Sequence, residues 1–321
     1  MAAMQPILDE ATSENMTVSI VVISRDEPAL ATTLEALHPL LGDTVDEVVV
    51  VDASAGRVDV IRDAHPWVTW LPFVRTPGSG VTIPEQRNVG VAAAIGDVIV
   101  FTDCGCVPTE GWLERLLLPI LVDGEQVVCG RTGSLGKSLY DGIPAGSSIE
   151  SPPDYVEECP TINMAFRRGA FGLIDGFDES FQYGSDIDFS WRLRSAGILI
   201  RYVPDAIVVH DWGDTSRQTR RALQYGRARA HLYRKHPNRI PHMVRADPIV
   251  AAYPLFLLGL PVTFRWRWYP MLLAIPLFRN RRNQPVRVVA DHLWFGFGVL
   301  QELANGVLRA HRRGTDGRRR T

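Results

Sequence analysis

The feature that most constrains this chain is a set of short, almost continuously apolar, β-branched runs. Val18–Ile23 reads VSIVVI, Glu47–Val51 reads EVVVV and Asp97–Phe101 reads DVIVF. A strand without polar alternation is buried on both faces, so other layers must cover both sides of its sheet. Helical patterns separate the runs. Leu30, Leu34, Leu37 and Leu41 fall at helical spacing within Pro28–Leu41, and further helices are expected near Val58–Ala64 and over Glu85–Ala94. Val68–Leu71 is another strand candidate. Alternating strands and helices predict an α/β fold with right-handed crossovers and a mostly parallel central sheet.

Beyond these, Gly130–Pro160 is rich in Gly, Ser and Pro and reads as a long surface loop, a candidate lid. Thr161–Phe166 is strand-like, Asp186–Ala196 helical, Ile198–Val203 and Ala206–Val209 two short strands, and Thr215–His236 a basic helix.

Charge divides the chain. The net charge of -2 hides twelve Arg, no Lys and three acids from Arg265 to Thr321, so that stretch carries +9 and Met1–Phe264 carries -11. An acidic body argues against nucleic-acid binding, and none is expected. The four Cys show no framework spacing and read as reduced thiols. The acidic N-terminus lacks the apolar core of a signal peptide, so the body is expected to stay in the cytoplasm.

Ligands of open α/β sheets bind beyond the carboxyl ends of the strands. Ser24–Glu27, Asp52–Ser54 and Asp103 fall there. Each Asp has an alternative reading as a cap of the following helix. The first strand is followed by ISRDEP rather than GxGxxG, and neither GxxxxGK[ST] nor GxSxG occurs. Dinucleotide binding, P-loop hydrolysis and serine hydrolysis therefore lack their loops. What remains is a set of acids with one His: Asp103 in FTDCGC, Asp186 and Asp188 in YGSDIDFSW, and His210 in VVHDWG. An Asp and a His from separate strand ends can share a divalent cation with a diphosphate, while another carboxylate takes a proton.

QRNVGVAAAIGDVIVFTD (Gln86–Asp103), TINMAFRRGAF, GFDESF and GSDIDFSWRLRSAG, taken together, resemble the inverting glycosyltransferase family 2, with the GT-A fold. The resemblance runs over about Val18–Gly226, and YGRARAHLYRKHP resembles the actinobacterial branch that includes mycofactocin glycosyltransferases. It implies a nucleotide-sugar donor, most readily a UDP-sugar, with Ser24 and Asp52 at its base and ribose. Arg87 would lie near the diphosphate. Asp103 would be the first Asp of the metal-binding DxD, with His210 completing a Mg or Mn site, and Asp186 would be the catalytic base. Two positions depart from the pattern: Gly105 replaces the second DxD carboxylate, and Ser185 replaces the Glu of a Glu-Asp pair. The rivals are a degenerate family member that binds nucleotide-sugar or scaffolds a glycan pathway, and a nucleotidyltransferase.

The expected organisation is a flexible 1–15, a glycosyltransferase domain over 16–240, a membrane-associated helical region over 241–308 and a flexible basic tail over 309–321. Ile249–Phe264 and Trp268–Phe278 are uncharged runs, each shorter than the roughly 20 residues a spanning helix needs. With Trp266, Trp268, Tyr269 and Trp294 they predict a shallow hairpin at the cytoplasmic face of the cell membrane, the alternative being a buried helical pair. A membrane location points to a lipid-linked or membrane-proximal acceptor, though other glycans and small molecules stay open.

Overall fold

The structure, a computed structural model, describes residues 16–42, 44–75, 80, 82–134, 153–210, 215–241, 243, 247–282 and 284–317. The chain divides into two compact units, Met1–Trp212 and Gly213–Thr321.

The strands of the first unit are β1 (Val18–Ser24), β2 (Glu47–Asp52), β3 (Thr69–Pro72), β4 (Val98–Asp103), β5 (Cys106–Pro108), β6 (Val127–Ser134), β7 (Tyr155–Val156), β8 (Asn163–Arg167) and β9 (Ile200–His210). Its helices are α1 (Leu30–Leu37), α2 (Asp59–Ala64), α3 (Ile83–Ala93), α4 (Trp112–Leu121), α5 (Arg168–Leu173) and α6 (Ser185–Ser195). The strands form one sheet in the order β3-β2-β1-β4-β8-β6-β9-β5, with β7 also on β9. β1 to β4, β6 and β9 run one way, and β5, β7 and β8 run against them. Successive residues of β1 enter opposite cores, as strand geometry requires. Ile20 and Val22 pack with Leu30, Leu34 and Trp112 on one side. Val21 packs with Val51, Phe101, Phe166 and Phe189 on the other.

The family-like motifs are largely structural. Asn88 donates to the Phe177 carbonyl and to Glu179, and accepts the Phe177 N–H at 2.9 Å, so it clasps the GFDE turn. Asp97 accepts the Thr17 N–H and hydroxyl, each at 3.0 Å. A Cβ on Gly90 would lie 2.5 Å from Val21 Cγ1. Helix propensity alone favours Ala over Gly by about 1 kcal/mol, whereas overpacking costs about 1–3 kcal/mol. Gly90→Ala is therefore expected to destabilise the protein, read as a lower urea midpoint; a higher midpoint would mean that α3 can shift away from the sheet.

Several expectations need correction. Gly130–Ser134 belongs to β6, not to a loop, while 135–152 of the expected lid lies outside the described residues. Gly130 carries no side chain because Asn163 and the Ala206 carbonyl occupy the space of a Cβ. Asn163 Nδ2 donates to the Arg131 and Ala206 carbonyls at 2.8 and 2.9 Å, where the β6–β9 register shifts. Its Oδ1 accepts the indole N–H of Trp112 at 2.9 Å. Ile198–Val203 and Ala206–Val209, read as two strands, are one strand that passes Pro204 at this irregularity.

The second unit contains α7 (Thr215–Lys235), α8 (Ile249–Leu258), α9 (Ala274–Arg279) and α10 (Pro285–Gly317), with short 3-10 turns at Pro237–Arg239, Leu260–Phe264 and Tyr269–Leu273. α7 and α10 pack so closely that a Cβ on Gly226 would meet the Phe295 carbonyl, and one on Gly298 the Leu223 carbonyl. Arg234 pairs with Glu302 at 2.9 Å. α8 joins α10 through a 3.0 Å hydrogen bond between Tyr253 and His292. This packing places α7 in the second unit, so the division falls after Trp212 rather than after 240. Residues 309–317, expected to be a flexible tail, continue α10, and the expected flexible 1–15 lies outside the described residues.

Candidate active site

All the candidate donor-site, metal and catalytic residues named from the sequence lie in the first unit. Ser24 ends β1 in register with Asp52, which ends β2, and Asp103 ends β4 in register with Ile23. Three polar positions thus sit beside one another on adjacent parallel strands, where connections diverge and leave a crevice. Ser24 is buried. Asp52 Oδ1 accepts the Ser54 N–H at 3.0 Å, and Ser54 Oγ accepts the Asp26 N–H at 2.7 Å. Asp52 therefore shapes the turn after β2 and does not cap α2, which starts at Asp59. Asp26 has a left-handed backbone, φ 57, and pairs with Arg57 at 2.6 Å. Hydrogen bonding from Arg57 holds the Asp26 carboxyl below its usual pKa.

Arg87 comes from α3 and is only 6% exposed. Its Nη2 lies 3.8 Å from Asp103 Oδ1, and its Nη1 donates to Ser185 Oγ at 3.3 Å. Phe101 and Phe177 flank the guanidinium at 5.9 and 5.6 Å from their ring centres. Burial lowers the Arg87 pKa and the charges of Asp103 and Asp186 oppose that shift. An Arg keeps its proton at any ordinary pH, so the site contains a fixed positive charge.

Asp186 is the second residue of α6, and its Oδ1 accepts the Ile187 N–H at 2.9 Å. Its residue keeps some solvent access, yet burial of the carboxyl dominates and pushes its pKa up. Arg87 and the Ile187 N–H pull it down, and Asp103 adds to the rise. Asp188, by contrast, is fully buried and bonds Arg192 at 2.8 Å. Arg192 also donates to the Ile174 and Gly176 carbonyls, so it braces the loop before α6.

The Asp103–Cys106 turn leads to the strand that pairs with His210. Gly105 is left-handed, φ +83, and a Cβ there would lie 3.5 Å from His210 Cε1. His210 is in register with Cys106, and its Nδ1 lies 3.6 Å from Cys106 Sγ. Thr33 of α1 pins the turn: its Oγ1 accepts the Gly105 N–H at 2.9 Å and donates to the Cys106 carbonyl at 3.1 Å. Thr33 escaped the sequence reading, and Ser185 entered it only as a departure from the family pattern. Thr33 left one signal, a polar residue at an inward position of the Leu30–Leu34–Leu37 helix face.

Among the described residues, no three His, Cys, Asp or Glu side chains gather into a metal cluster. Burial pushes both nearby thiols up, that of Cys106 to about 12. Asp103 and His210 both lie at the turn that holds Gly105.

Residues 19–169 match the model of glycosyl transferase family 2. That segment is a glycosyl transferase family 2 domain. It is 33% identical over 230 residues to a pre-mycofactocin glycosyltransferase of Mycobacterium tuberculosis, a match covering 66% of this chain and 47% of that one. The chain thus spans about half the length of the curated relatives it matches. A mannosyltransferase from Pyrobaculum calidifontis, solved with GDP-Man and Mn2+, is similar in structure with a TM-score of 0.63 and 16% identity, over 94% of this chain and 95% of that one. Glucosyl-3-phosphoglycerate synthase from Mycobacterium tuberculosis, solved with Mg2+ and UDP, gives a TM-score of 0.52 and 20% identity, over 71% of this chain and 82% of that one. These likenesses establish the GT-A fold anticipated from the motifs. Ser185, where the motif led one to expect a Glu, accepts a hydrogen bond from Arg87 through its hydroxyl.

Proposed function

We propose that the chain is an inverting glycosyltransferase. It moves a sugar from a nucleotide-sugar, a UDP-sugar in the first instance, to a hydroxyl of a lipid-linked or membrane-proximal acceptor. One observation carries the reading. A buried Arg87 lies 3.8 Å from Asp103 and is coupled by charge to Asp186, whose proton affinity burial has raised. A fixed cation thus acts on a carboxyl that holds its proton more tightly than an ordinary carboxylate does.

The nucleotide would rest against Ser24 and Asp52, with its diphosphate at Arg87 and Asp103. Asp186 would take the proton of the acceptor hydroxyl as that oxygen bonds the anomeric carbon. The bond from that carbon to the diphosphate oxygen breaks on the opposite side, its electron pair leaves on the diphosphate, and the configuration inverts. A divalent cation held by Asp103 and His210 supplies further positive charge for the leaving diphosphate when bound. The glycosyltransferase names of the relatives, and the GDP-Man and UDP in the structural neighbours, support a nucleotide-sugar donor.

Gly105 favours a second reading, a catalytically degenerate protein that binds nucleotide-sugar or scaffolds a glycan pathway. Calorimetric titration with UDP, GDP and dTDP, with and without Mn2+, separates the two when run beside a transfer assay. The enzyme reading expects one nucleotide to bind with Mn2+ dependence and Asp103→Ala to weaken it by about tenfold, roughly 1.4 kcal/mol. Binding without turnover of any donor sugar would favour the degenerate protein, and no nucleotide binding would remove the donor site altogether.

A further inference from the structure

Residues 249–282 hold five Arg and no Asp, Glu or Lys. They also display large apolar side chains to solvent. Phe264 is 96% exposed, and Leu255, Trp268, Met271, Ile275 and Phe278 are all more than half exposed. Single exposed hydrophobics are ordinary, but this density along one segment is not. Arginines flank the aromatics directly: the Arg267 guanidinium lies 5.0 Å from the Trp268 ring centre, and that of Arg281 4.5 Å from Phe278.

We propose that this segment is a docking face for an anionic bilayer, lying in its headgroup region without crossing it. The inference does not depend on the proposed activity. No helix among the described residues is long and apolar enough to cross a membrane. Pro261 and Pro270 stand at the start of the two short 3-10 turns, and α8 and α9 on either side are only 10 and 6 residues long. Apolar side chains with flanking Arg and Trp on short elements suit insertion along the interface.

The backbone suits it as well. In lipid an unpaired N–H is costly, so a segment must satisfy its own donors. Here the Val262 N–H bonds the Gly259 carbonyl, Arg265 and Trp266 bond Val262, Tyr269 bonds Trp266 and Met271 bonds Trp268, at 2.7 to 3.0 Å. The Tyr269 hydroxyl donates to the Phe256 carbonyl at 3.0 Å, and the two rings stack at 5.2 Å between centres. These bonds give the apolar side chains a fixed platform. A second copy is the poorer occupant, because a two-fold interface would set one arginine-rich face against another.

The test is flotation of the full chain with vesicles of phosphatidylcholine alone, and with about 30% phosphatidylglycerol to supply negative charge. The wild type is expected to float with the anionic vesicles and to be released by high salt. Phe264→Ser/Phe278→Ser and Arg265→Gln/Arg267→Gln are each expected to reduce binding by about tenfold or more, with unchanged circular dichroism. Should a variant misfold, quenching of wild-type tryptophan fluorescence by brominated phosphatidylcholine in the anionic vesicles reads insertion directly. Equal flotation of the folded variants, a wild type that floats with neither vesicle, absent quenching, or a solution dimer that Phe264→Ser dissolves would each overturn the proposal.

Discussion

Asp186→Asn is expected to reduce sugar transfer by about 10²–10⁴-fold, the usual contribution of a general base, while nucleotide binding measured by calorimetry stays the same. Asn keeps the size of the side chain and can still accept the Ile187 N–H, so the start of α6 should survive. The pH dependence supplies a second readout. Burial raises the Asp186 pKa, so the acidic limb of kcat should lie above the ordinary carboxylate range, with transfer falling as pH drops through it. The same shift fixes the sign of a stability effect. As pH rises, the unfolded chain releases this proton before the folded one, so folding is weakened progressively until the folded carboxyl also ionises. Asn carries no such charge. The variant should therefore melt at a higher temperature than the wild type at neutral pH while turning over far more slowly. Retained transfer would mean that another group takes the proton.

Arg87→Met is the second large expectation. It removes the fixed cation proposed to meet the diphosphate, and nucleotide affinity should fall by about tenfold to a hundredfold, since hydrogen bonds to charged groups contribute about 1.5–3 kcal/mol. Arg87 also lowers the Asp186 pKa, so its loss should move the acidic limb of kcat further upward. Asp103 is 38% exposed at its side chain, so water can partly replace the missing partner and the fold should persist. A purely structural Arg87 would lower the melting temperature and leave the pH limb in place.

How much of this was legible in the sequence depended on the kind of signal. β1, β2 and β4 were legible because burial on both faces leaves them nearly free of polar residues between their ends. β6 was not, because Gly130 and Gly133 mimic loop composition; at Gly130 the missing side chain makes room for Asn163, which lies far away in sequence. The continuity of β9 was hidden by Pro204 for a related reason, since the Asn163 amide bridges the shifted register. At the site, Arg87, Asp103 and Asp186 announced themselves through motif spacing. The Arg87–Ser185 bond did not, because the spacing of a motif says nothing of which side chains meet across the fold. In the second unit the apolar runs were visible, but whether they faced inward or outward depended on turns set by prolines and by Tyr269.

The two neighbouring side chains Arg87 and Asn88 bear on the order in which the molecule is made. They reach partners 98 and 89 residues further along the chain. Closing such long loops is slow, because chain entropy is lost before any contact repays it. β1 to β4 can pair as the N-terminal half emerges, but Arg87 then lacks Ser185, and Asn88 lacks the turn it clasps. The constellation is therefore completed late in folding, and a ribosome-bound or truncated chain ending before Phe177 would present the strand ends without a working centre.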